Sequence, residues 1–147
     1  GRKYIGSDSK FYFEDPGVRN AIIGFRQVEY SHMMENVLYN ELCARGYSVD
    51  VGLVEIWEKN EEGKIVHKRI EVDYVINRGS QRIYVQSAYS MPDEEKRDQE
   101  QRPLIKINDS FRKIIISGEH KGKFYNEEGV LRIGVFEFLL DRECLNN

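Results

Sequence analysis

At 147 residues, with 40% hydrophobic and 32% charged side chains, the chain is sized for one domain around one core and is too apolar to be disordered throughout. A net charge of -3 excludes a uniformly basic coat, so any hold on nucleic-acid phosphates requires a local basic patch. No apolar run approaches the ~18 residues of a membrane-crossing helix. No secretory leader is recognisable, and Cys43 and Cys144 lie far apart, so two free thiols in a reducing, cytoplasmic setting are expected.

The chain opens on Gly1 rather than Met, which reads as a piece of a longer protein. Residues 1–13 are polar until Phe11-Tyr12-Phe13, read as a short strand with a flexible lead. Asp15-Pro16-Gly17 supplies a helix cap followed by Pro at the first helical position. A short helix over Val18–Ile23 is expected, stopping at Gly24. His32–Arg45 carries the clearest helical period, with Met33, Met34, Val37, Leu38, Leu42 and Ala44 on one face and Gly46 at the C-terminal cap. Glu41 falls within that apolar face and Glu35 at its edge. A carboxylate there must pair with a buried cation, reach out to solvent, or belong to a site.

Asn60-Glu61-Glu62-Gly63 joins Leu53–Glu58 to Lys64–Val66 as a hairpin. Arg69–Asn77 alternates, with Ile70, Val72, Tyr74 and Ile76 opposed to Glu71, Asp73 and Val75. A turn at Gly79 leads into Arg82–Tyr89. Centring that turn on Gly79 and Ser80 sets Asp73 across from Gln86 and Glu71 across from Ala88. Pro92-Asp93 opens a charged helix to Leu104, which Pro103 ends or kinks. Lys113–Ser117 is a buried strand, and residues 118–129 a polar loop with a short hairpin. Leu131–Ile133 is read as a last edge strand and Val135–Leu140 as a closing helix. This order predicts an α/β fold: a mixed central sheet flanked by helices.

Glu35 or Glu41 on the helix, with Glu71, Asp73 and Gln86 on adjoining strands, can converge as oxygen ligands for a hard divalent cation. The plainer reading makes Glu71 and Asp73 solvent-facing strand residues. His32, His67 and His120 have no metal-ligand spacing. Trp57 is expected to pack rather than to stack on bases. No phosphate-binding loop is present.

The runs MMENVLYNELCARGYSV, EVDYVI and RIYVQSAYSMPDEEKRDQEQRPLIKINDSFRKIIIS together resemble the C-terminal domain of a group of prokaryotic AAA+ ATPases. The resemblance covers roughly Tyr12–Leu140, and FYFEDPGVRNAIIG resembles that family's link from a winged-helix segment. It implies a restriction-endonuclease-like fold of the PD-(D/E)XK type over residues 31–147. Residues 1–30 would then be an extension from a missing upstream module, the place of any ATP site. The family's helix Glu corresponds to Glu35, with Glu41 on the following turn. Its motif Asp corresponds to Asp73, preceded by Glu71. Gln86 stands in its third acidic position and Ala88 where it carries Lys. Mg²⁺ would be held by Asp73, Glu35 and Gln86, with Lys96, Arg97 and Arg102 as substitutes for the absent Lys.

The expected function is therefore that of a catalytically degenerate nuclease-like domain serving nucleic-acid or partner binding. Its partners would be the upstream ATPase module and DNA, with no membrane. An active Mg²⁺-dependent endonuclease and a structural or oligomerisation module are the alternatives.

Overall fold

The computed structural model describes residues 10–22 and 29–146. The expected lead over residues 1–9 and the helix stop at Gly24 lie outside them. Helix α1 (Pro16–Ile22) begins where Asp15 Oδ1 accepts the Gly17 and Val18 N–H groups at 2.7 and 3.2 Å. Helix α2 (Tyr30–Ala44) closes with Gly46 at φ +82°. There Tyr47 N–H donates to Leu42 O and Gly46 N–H to Cys43 O, a cap that satisfies carbonyls the last turn leaves open. Its buried face carries Met34, Asn36, Leu38 and Leu42. Ala44, expected on that face, is exposed.

Strands β1 (Ser48–Lys59), β2 (Ile65–Arg78) and β3 (Gln81–Ala88) form an antiparallel meander. Helix α3 (Glu94–Lys106) crosses over to β4 (Arg112–Ser117), which runs parallel to β3. Strands β5 (Lys123–Tyr125) and β6 (Leu131–Gly134) complete the six-stranded mixed sheet, in the order β1-β2-β3-β4-β6-β5, before α4 (Val135–Leu140). Strand β6 is interior, between β4 and β5. Its apolar Leu131 and Ile133 suit that place, and the short, exposed β5 forms the edge. Asp93 caps α3 by accepting Lys96 N–H at 2.8 Å. Pro103 sits inside α3, which runs on to Lys106.

Helices pack on both faces. One core lies under α2 and α4 and gathers Leu38, Leu42, Tyr74, Ile83, Ile114 and Phe138. The other lies under α3 and gathers Val72, Tyr84, Leu104 and Ile115. The mixed sheet with flanking helices is thus as expected.

Three further local readings change. Residues 11–13 form no strand; Phe13 instead bonds to α2, its N–H donating to Asn36 Oδ1 at 2.8 Å and its carbonyl accepting from Asn40 Nδ2 at 2.8 Å. Trp57 is 71% exposed on the hairpin and lies against His67. The alternation through β2 also breaks at Asp73. Val51 pairs with Tyr74 and Gly52 with Val72, which makes Asp73 the extra residue of a β-bulge. Ile70 and Val72 therefore face α3 while Tyr74 and Ile76 face α2. Gly52 permits the bulge: a Cβ there would meet the Val72 side chain and come within 2.8 Å of Val72 O.

Candidate functional site

The bulge aims Asp73 into the fork where β2 and β3 separate. The β2–β3 ladder ends at Tyr74–Val85, and the next step would set Asp73 opposite Gln86. Side chains continue what the backbone leaves off. Ser87 N–H donates to Asp73 Oδ2 at 2.8 Å, and Asp73 N–H donates to Gln86 Oε1 at 3.3 Å. Gln86 Nε2 then donates to Glu100 Oε2 on α3 at 3.2 Å, and Glu100 Oε1 pairs with Lys96 Nζ at 2.7 Å.

From the other side comes Lys10. Its Nζ lies 3.4 Å from Asp73 Oδ1 and 3.5 Å from Glu71 Oε1. Tyr12 stacks on Tyr39 with ring centroids 4.2 Å apart, which together with the Phe13 bonds fastens the segment carrying Lys10 to α2. Two ammonium groups thus bracket the fork, one from the N-terminal lead and one from α3.

Asp73 has a side chain only 13% exposed. Burial pushes its carboxyl up, and the Ser87 N–H and Lys10 offset only part of this. Glu35 is raised as well, by burial first and then by the Asp73 charge, with Lys10 opposing. Burial pulls the Lys10 ammonium down, but Asp73 and Glu35 outweigh it and hold it above its ordinary value. These carboxyls share one electrostatic neighbourhood, as like charges in a poorly solvated place must.

Glu41 is not part of it. It pairs with Arg45 Nε at 2.7 Å, the buried-cation outcome among those open for a carboxylate on that face. Arg45 in turn lies over the Phe138 ring, 4.2 Å from its centroid, and donates to Asp141 O. Of Lys96, Arg97 and Arg102, only Lys96 approaches the fork, through Glu100. Arg97 is exposed and donates to Asp93 O, and Arg102 is exposed. The cation that does reach Asp73 is Lys10, and no spacing signal points to it. Glu100 was equally hidden, because α3 reads as a charged helix all round.

The donor set does not fit a divalent cation as it stands. Mg²⁺ asks for about six oxygens near 2.1 Å. Here both Asp73 oxygens are engaged, the Gln86 carbonyl faces a backbone N–H, and an ammonium stands at the mouth. Among the described residues no three His, Cys, Asp or Glu side chains are grouped to hold a metal ion. What the fork can do chemically is hold two ammonium groups on a ladder of carboxylates and one carboxamide. A hollow of about 650 Å³ lies elsewhere, over β1 between Trp57 and Asp109, and shares no residue with the fork. Cys43 is exposed, Cys144 is buried, and both are free thiols.

Fold and fork together define a mixed-sheet α/β domain with a charge-compensated acidic fork. No family profile matches the chain. Over 143 residues it is 32% identical to an uncharacterised protein of Haemophilus influenzae, an alignment that covers 95% of this chain and 31% of that protein. The chain therefore spans about a third of the length of the curated relative it matches. No helix among the described residues is long and apolar enough to cross a membrane.

Proposed function

We propose that this chain is a restriction-endonuclease-like accessory domain, of the kind found at the C-terminus of prokaryotic AAA+ ATPases, whose nuclease-like site is catalytically degenerate and serves nucleic-acid or partner binding. The observation that carries the reading is the contact of Lys10 with Asp73 and Glu71. A tethered ammonium takes the electrostatic place of a metal, while Gln86 brings a carbonyl without the charge of a third carboxylate. The motif carboxylate is kept, on a bulge in the middle strand of the meander, but its oxygens serve the fold.

One observation favours an active Mg²⁺-dependent endonuclease instead. Lys10 delivers beside Asp73 the ammonium that Ala88 cannot. That reading requires Lys10 to leave the Asp73 oxygen and Gln86 to turn its carbonyl outward.

Calorimetric titration of Mn²⁺ and Mg²⁺ separates the two. The degenerate reading expects no binding to the wild type, and a weak Mn²⁺ site in Lys10→Ala that Asp73→Ala removes. Micromolar binding to the wild type, abolished by Asp73→Ala and accompanied by metal-dependent cleavage of DNA, overturns it. Binding to a DNA duplex is followed alongside at stepped salt, where phosphate contacts give a linear fall of log affinity with log salt.

A further inference from the structure

Away from the fork, a second set of polar groups is only partly partnered among the described residues. A cavity of about 300 Å³ lies between the N-terminal half of α3, the β5–β6 hairpin and the 118–122 loop, with Arg97, Arg132, His120, Ser117 and Phe124 in its wall. Cross-strand pairing of Phe124 with Arg132 sets these two side by side. Gln101 Oε1 accepts Arg132 Nη2 at 2.9 Å and also accepts Asn126 Nδ2 at 2.9 Å, which fixes the guanidinium plane. Arg132 Nε is buried and has no partner among the described residues, and neither has the buried Nε2 of His120.

Orphaned buried donors are uncommon because each costs about 1–3 kcal/mol. Here the Arg132 Nε–H is one, and it lines one cavity with the unpartnered His120 Nε2 and a second guanidinium, Arg97. Arg132 forms no ion pair among the described residues. The one carboxylate in the wall, Glu119, accepts the Ser90 hydroxyl at 2.5 Å.

We propose that this cavity binds a phosphate-type oxyanion. Donors from α3, from β6 and from the loop reach it from different sides. A tetrahedral, multiply charged anion can use donors so spread, and Arg is suited to the pairing. The adjoining groove carries Glu94, Asp98, Glu127 and Glu128 around Arg132. Those carboxylates repel a continuous phosphate backbone, so the ligand is an isolated phosphate: a terminal monoester or inorganic phosphate. The inference does not rest on the reading of the Asp73 fork. Residues of α3 one position apart separate the two places, Lys96 and Glu100 turned to the fork and Arg97 and Gln101 to the cavity.

The test is calorimetry and thermal shift with inorganic phosphate against chloride at matched ionic strength, on the whole chain. The wild type binds phosphate and its Tm rises. Arg132→Gln and Arg97→Gln each weaken binding by about tenfold, the loss of one charged contact worth about 1.4 kcal/mol. Asp73→Ala leaves it unchanged, which keeps this outcome separate from that of the fork. Arg97 is exposed, so its variant tests the site even if Arg132→Gln fails to fold. A short oligonucleotide with and without a 5′-phosphate names the source. Tighter binding of the phosphorylated strand assigns a nucleic-acid end, and equal binding of the two assigns a small phosphate. Phosphate no more effective than chloride, or full binding by both Arg variants, overturns the proposal.

Discussion

Lys10 and Asp73 stand 63 residues apart in sequence and 3.4 Å apart in space. The contact joins a segment without regular structure to the one residue that bulges from β2. It decides how the acidic fork behaves, because the ammonium supplies the counter-charge that burial makes necessary. The other fork carboxylates, Glu35 and Glu71, lie within reach of the same charge.

The fork is expected to weaken the fold at neutral pH. The folded pKa of Asp73 lies above its ordinary value of 3.8, and that of Glu35 above 4.5. Groups raised on folding contribute stability below their unfolded pKa and lose it as pH rises through the folded pKa. Asp73→Asn should therefore melt at or above the wild-type temperature at pH 7, with the difference closing as the pH falls towards 4 and the wild-type carboxyl takes up its proton. Melting curves across that window test this. A variant destabilised more at pH 7 than at pH 4 would show that the Ser87 and Lys10 contacts, not desolvation, dominate.

Asn36 is the clamp that places Lys10. It is buried on α2 and holds the Phe13 backbone by its N–H and its carbonyl. Asn36→Ala leaves the Phe13 N–H without its partner, while the Phe13 carbonyl keeps Asn40, at a cost of about 2 kcal/mol in urea unfolding. It should also free the lead, so that Asp73 titrates higher by NMR, as in Lys10→Met. A wild-type Asp73 titration in Asn36→Ala would mean that the Tyr12–Tyr39 stack and the Asn40 bonds hold the segment without it.

Much of the architecture was legible because it rests on local rules. The period through Met34, Leu38 and Leu42, the Gly46 cap, the Asn60–Gly63 turn, the Asp93 cap and the apolar run 113–117 each mark an element without reference to the rest of the chain. The opposition of Asp73 and Gln86 follows from the turn at Gly79, again a local count. What was not legible is non-local. The bulge depends on Gly52 in the neighbouring strand, and its effect is to turn Ile70 and Val72 to the opposite core. Lys10 reaches Asp73 only because Tyr12 and Phe13 dock on α2. The interior place of β6 depends on its parallel pairing with β4, for which a four-residue segment carries no signal. Trp57 misled for a related reason: an aromatic on a strand is ordinarily packed, but residues 57–69 of this hairpin are largely exposed.

Gly52 should be the least replaceable residue of β1. Gly52→Ala places a methyl against Val72 and its carbonyl, and overpacking of this kind costs about 1–3 kcal/mol. The more telling readout is the Ser87 amide, whose bond to Asp73 depends on the bulge. Its hydrogen-exchange protection should fall more than that of Val85, one step inside the ladder. Equal loss at both amides would indicate general destabilisation rather than a displaced Asp73.

Arg45 and Glu41 make a structural pair, and their variants should differ in size. The Arg45 side chain is 4% exposed and Glu41's is 22% exposed. Arg45 also donates to the Phe138, Asp141 and Arg142 carbonyls at the end of α4. Arg45→Met removes all of these at once and leaves Glu41 half-buried without its partner, so about 3 kcal/mol is expected. Glu41→Gln keeps an acceptor for Arg45 Nε and lets the guanidinium retain its carbonyl partners, for about 1 kcal/mol. Glu41 stands apart from the fork, so neither change should move the Asp73 titration. Urea unfolding of both, with the Asp73 carbon shift followed against pH, checks the two statements together. An Asp73 shift in Glu41→Gln would place Glu41 within the fork's electrostatic reach after all.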